Sequence, residues 1–173
     1  MGLVELVILA AVQSSAAAAV NPLAPALAGK LECTYPDHQK KTCRSLASYT
    51  LISGSRYRNT SVILVSPNGP VTLESTQETV LKGDAVCGTI RADDITAGKL
   101  RVGEAVLDPE KSQPALERLV TAMAPVMNKE VCVTYERAGD GLVEKGSVDG
   151  VSQPSVSSPL EWVLPGDGYR VAP

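Results

Sequence analysis

The chain has one histidine, His38, and no phenylalanine; five tyrosines and a single tryptophan are its only aromatics. One imidazole excludes metal centres built on two or three histidines, and with them the H-E-x-x-H helix of zinc peptidases. A Ser-His-Asp triad would have to use His38. No G-x-S-x-G elbow surrounds any serine, and no serine stands three residues before a lysine. Phosphate-cradling glycine loops of the P-loop or G-x-G-x-x-G kind are missing, and no motif asks for a cofactor. The shortage of aromatics argues against stacking platforms for sugars or single-stranded nucleic acid. It also means that a core must be built from Val, Leu, Ile, Ala and Met. Charge is nearly balanced, 16 basic against 19 acidic residues. There is no basic stripe for nucleic acid and no polybasic run for an anionic membrane.

A long apolar span is lacking too. The opening run from Leu3 to Val12 contains Glu5 and stops at Gln13. It is shorter than the roughly 20 residues that cross a bilayer, so no stable membrane insertion is expected. A short apolar run followed by small residues, with Ala17 and Ala19 placed as an A-x-A cleavage signal, predicts a signal peptide over residues 1–19. The usual basic n-region is absent; the first lysine or arginine is Lys30. Residues 20–29, rich in Pro and Ala, read as a flexible lead-in. Residues 30–173 are long enough for a single domain with its own core.

Four cysteines, Cys33, Cys43, Cys87 and Cys132, follow the expected cleavage point. An even count in an exported chain reads as a disulfide framework and places the protein in the periplasm or outside the cell. Sequence alone leaves three pairings open. Cys33–Cys43 with Cys87–Cys132 is favoured, because the first closes a short polar loop and the second joins two strand-like segments. Zinc is disfavoured by the absence of close C-x₂₋₄-C spacing.

Strand-like segments are expected at 44–52, 57–66, 71–81, 85–91, 131–137, 142–148 and 160–164. Turn signals at Gly54, Asn68-Gly69, Gly83-Asp84, Gly139–Gly141 and Asp149-Gly150 separate them. The one clear helix is predicted over Ser112–Lys129, with Ser112 as N-cap, Pro114 in the first turn and Pro125 disturbing the last. Its apolar stripe, Leu116, Leu119, Val120, Met123 and Met127, is a core face. Strands, one helix, then strands predict an α+β fold: an antiparallel β-sheet packed by one main α-helix and stabilised by two disulfides.

Three constellations carry some chemistry. Asp37-His38 offers a carboxylate beside an imidazole, a weak candidate for an oriented base. Asp93-Asp94 with Glu104, or Asp140 with Glu144 and Asp149, supplies oxygen ligands for calcium without the D-x-D-x-D-G spacing, and turn chemistry explains these residues better. A cysteine nucleophile beside His38 requires a thiol that the first bridge would remove. Asn59-Thr60-Ser61 is a glycosylation sequon. The expectation is therefore a non-enzymatic exported binding domain that contacts another envelope or extracellular protein through its His38 loop and its Ser152–Pro159 loop. A hydrolase using Asp37 and His38 or a carboxylate pair is the first alternative. It requires His38 and two carboxylates to meet in one concave pocket. An inhibitor presenting the Cys33–Cys43 loop to a hydrolase is the second.

Overall fold

The computed structural model describes residues 21–66 and 69–173, so the expected signal peptide, residues 1–19, lies outside the described residues. The described strands are β1 (Leu31–Thr34), β2 (Thr42–Cys43), β3 (Ser45–Ser53), β4 (Arg56–Ser66), β5 (Val71–Lys82), β6 (Ala85–Thr89) and β7 (Lys99–Val102). They continue with β8 (Ala105–Val106), β9 (Glu130–Ala138), β10 (Gly141–Val148), β11 (Val151–Ser152), β12 (Ser158–Val163) and β13 (Arg170–Val171). Helices are few: α1 (Ala24–Leu27), α2 (Ala92–Thr96) and α3 (Pro109–Ala122).

Hydrogen bonding runs β4-β3-β1-β12-β10-β9-β6-β5, and β5 pairs back onto β4. Eight antiparallel strands thus close into a barrel, which removes the sheet edges that an open sheet would expose. The expected α+β arrangement is overturned by this closure. Three features concealed it. The first barrel strand, β1, sits inside a segment dominated by polar loop residues and is only four residues long. The β4–β5 ladder, from Arg56↔Val80 to Ser66↔Val71, is the hairpin its turn announces, whereas closure needs the β1–β12 and β6–β9 pairings, which join strands far apart in sequence. The main helix covers one end of the barrel instead of the face of a sheet.

Both ends are plugged. At one end α1 inserts Leu23, fully buried, and Ala26 against Tyr57 and Val86, with Tyr49, Leu81, Val133, Tyr135 and Trp162 packed around them. The segment expected to be a flexible lead-in therefore contains the plug. At the other end α2 and α3 bury Ile95 and Leu116 on Leu73 and Leu100, and the predicted stripe of Leu119, Val120, Met123 and Met127 packs on that cluster. The helix starts earlier than expected. Asp108 is its N-cap, and Ser112 lies inside, its hydroxyl donating to the Pro109 carbonyl at 3.2 Å. Pro125 does end the regular helix: Ala122 is its last residue, and a single 3₁₀ turn spans Ala124–Val126.

Both favoured disulfides are present, with Cα–Cα distances of 5.5 Å for Cys33–Cys43 and 4.0 Å for Cys87–Cys132. The second joins directly opposed residues of β6 and β9. The first lies on the outer wall, where Cys33 and Cys43 pack with Val163, Leu31, Leu46 and Tyr169. The loop it closes is held again from outside, because β2 pairs in parallel with β13 near the C-terminus.

Candidate functional site

The β10–β12 ladder is, with β1–β3, one of the two shortest in the barrel wall. It holds Leu142↔Leu160, Val143↔Pro159 and Glu144↔Ser158. Beyond Leu160, β12 continues for three residues with, among the described residues, only β1 paired to it, while the tip joining β9 to β10 parts from it. The opening is a cleft of about 590 Å³. Leu142, Leu160 and Trp162 form its apolar floor; His38, Arg137, Asp140 and Glu161 stand at its rim. Of the two loops anticipated as working surfaces, the disulfide loop reaches it through Pro36 and His38; from the Ser152–Pro159 stretch only Pro159, a residue of β12, lines it.

His38 is oriented by side chains far away in sequence. Its Nδ1 lies 2.9 Å from the Tyr169 hydroxyl and its Nε2 lies 3.5 Å from the Glu161 carboxylate. Asp37, the expected partner, is turned into its own loop: Oδ1 accepts the backbone N–H groups of Gln39 at 3.0 Å and Lys40 at 2.9 Å. Those N–H groups, that of Lys40 above all, lower the Asp37 pKa. Tyr169 is shifted upward, first by desolvation and then by the charges of Glu161, Asp167 and Asp37. His38 and two carboxylates thus share a concave surface, but the carboxylates are Glu161 and Asp140. No serine, threonine or cysteine side chain lines the cleft among the described residues.

Behind the floor lies a buried polar layer. Glu32 of β1 points into the barrel, 5% exposed, and its Oε2 accepts the hydroxyls of Tyr135 at 2.6 Å and Tyr49 at 3.0 Å. Burial drives the Glu32 pKa up to about 7; the nearby charge of Glu144 adds to the rise, and the two tyrosine hydrogen bonds oppose it. Glu144, raised by burial, is bonded by the Ser158 hydroxyl. Trp162 packs edge-on to Tyr135 at 5.9 Å and beside Tyr49 at 6.4 Å, so one indole is both cleft floor and lid of the Glu32 layer.

The calcium constellations do not assemble. Asp140 precedes β10 and Asp149 follows it, so the strand's full length separates them, and Glu144 between them faces Ser158. Among the described residues, the group of three metal-ligating side chains is Cys87, Glu130 and Cys132, whose sulfurs are bonded to each other. No free thiol is present among the described residues, which removes the cysteine nucleophile. Asn59 of the sequon is 4% exposed within the barrel, where a glycan does not fit. Neither Trp162 nor Glu32 was singled out from sequence. The available signals were a lone Trp in a chain without Phe, and a lone acid between Leu31 and Cys33.

No protein-family model, no curated protein and no solved structure matches this chain. Two closed disulfides are the pattern of a protein matured outside the reducing cytoplasm. No described helix is long and apolar enough to cross a membrane.

Proposed function

We propose that this protein is an exported, non-enzymatic binding domain, delivered by its N-terminal segment to the periplasm or the exterior, and that its ligand enters the cleft between β10 and β12. The observation that carries this reading is the convergence of the disulfide loop, β12 and the β9–β10 tip on one apolar-floored cleft with a charged rim. Its size and mixed lining are those of small-ligand and side-chain pockets. A hydrolase reading draws on the same cleft through His38, Glu161 and Asp140. It has to work around an imidazole whose two nitrogens already face Tyr169 and Glu161.

The test uses Trp162, the single tryptophan, as reporter. Gly141 lines the cleft, and a Cβ built there meets nothing closer than the Ala138 carbonyl at 3.9 Å. Gly141→Arg therefore blocks the opening without crowding the wall. A panel of amphipathic small molecules, beginning with anilinonaphthalene sulfonate, is expected to shift Trp162 emission saturably in the native protein. At least tenfold weaker binding is expected in Gly141→Arg. Equal binding by both proteins would remove the cleft as the site. Turnover of ester, amide or glycoside substrates that vanishes in His38→Ala would replace binding by hydrolysis.

A further inference from the structure

Resting on the cleft reading, we infer that the occupant is an extended peptide segment of a partner protein, added as a short strand along β12. Glu161, Trp162 and Val163 pair with Cys33, Glu32 and Leu31 of β1, and their ladder with β10 has already ended at Leu160. Pro159 gives its carbonyl to the Tyr35 N–H, so by alternation Glu161 and Val163 turn their backbone groups to β1, and the far side of β12 is, among the described residues, an edge at which Trp162 presents its N–H and C=O. Such edges invite strand addition, and proteins usually blunt them with Lys, Pro or a covering element. None of the three residues is Lys or Pro, and a cleft lies where the neighbouring strand would run.

The cleft's chemistry suits a strand better than a compact molecule. Successive side chains of a strand point to opposite faces. One residue of an added segment would drop an apolar side chain onto Leu142, Leu160 and Trp162. Its neighbours would turn outward to Arg137 and Asp140 on one bank and to Glu161 and His38 on the other. The rim carries both signs of charge, so the fitting segment alternates apolar with charged residues.

A library of nine-residue peptides alternating apolar and charged residues is screened on the intact protein by Trp162 fluorescence. The best binder is then compared with a copy N-methylated along its backbone, which keeps the side chains and removes the hydrogen-bond donors. Strand addition predicts at least a tenfold loss of affinity on N-methylation. It also predicts at least tenfold slower hydrogen exchange of the Trp162 amide in the complex, and loss of binding in Gly141→Arg. Equal affinity of the N-methylated peptide, with the Trp162 amide unprotected, overturns strand addition and leaves the cleft reading standing. Failure of every library member to bind also overturns it, while the small-molecule titration decides the cleft reading separately.

Discussion

Glu32 makes the stability of this barrel fall as pH rises. Its carboxyl is buried in the folded chain with a pKa of about 7, against an ordinary value of 4.5 once unfolded. Below about pH 4.5 both states carry the proton, and the group contributes no difference. Between about 4.5 and 7 the unfolded chain ionises while the folded chain stays protonated, so each pH unit favours unfolding. Above 7 both are ionised and the penalty is constant. At about 1.36 kcal/mol per unit, the full difference is about 3 kcal/mol. Glu144, shifted up by burial as well, acts in the same direction. Glu32→Gln keeps an acceptor for Tyr49 and Tyr135 and cannot ionise. It should match the native protein near pH 4.5 and exceed it by about 3 kcal/mol at pH 8, or by about 6–12 °C in Tm for a domain of this size. The assay is urea unfolding from pH 4 to 8.5 with the disulfides intact, followed by Trp162 emission; an unchanged urea slope shows that only stability moved. A native profile that is flat or rising between pH 5 and 7 would refute the reasoning. So would a Glu32→Gln variant that keeps the native slope.

Two further outcomes follow from other parts of the wall. Cys87→Ser should leave Cys132 reactive toward a thiol probe in the folded protein and lower stability by about 4 kcal/mol, from the chain-entropy cost of a loop spanning 45 residues; a blocked Cys132 would mean a different pairing. Thr79 is 5% exposed and its hydroxyl has no hydrogen-bond partner among the described residues, so the near-isosteric Thr79→Val should raise the unfolding free energy by about 1 kcal/mol; a loss in denaturant unfolding would show that the hydroxyl is satisfied in solution.

Local structure was largely legible in the sequence and closure was not, and the barrel's interior explains the difference. Turn residues announced the hairpins: Gly54 and Gly83 both adopt positive φ, at +56° and +66°, where the expected turns fall. The helix stripe announced a core face because helix α3 meets an apolar cluster. The inward positions of the barrel's middle layer are polar. Glu32, Asn59, Gln77, Thr79 and Glu144 point inside at the places where period-2 alternation would call for Val or Leu. A polar interior erases the hydrophobic signal that separates a closed barrel from an open sheet with one wet face. Strand β1 suffered most, since Leu31-Glu32-Cys33-Thr34 carries its acid at the inward position.

The candidate site was half visible for a related reason. His38 stood out by being unique, and the disulfide around it was inferable from cysteine spacing, but its partners were not. Glu161 and Tyr169 lie more than 120 residues away in sequence; Glu161 reaches His38 because β12 pairs with β1 in the barrel wall, and Tyr169 because β13 folds against β2 outside it. Local adjacency pointed to Asp37, whose short side chain is instead consumed by the N–H groups of its own turn, as Asp side chains in turns commonly are. The Cys33–Cys43 bridge therefore contributes more than stability. It fixes the loop that supplies Pro36 and His38 to the rim, on the same bank as Glu161 of β12. That bank of the cleft depends on a covalent bond of the kind that forms and persists in oxidising compartments, so the proposed binding surface and the compartment that maintains it are tied together through that bond.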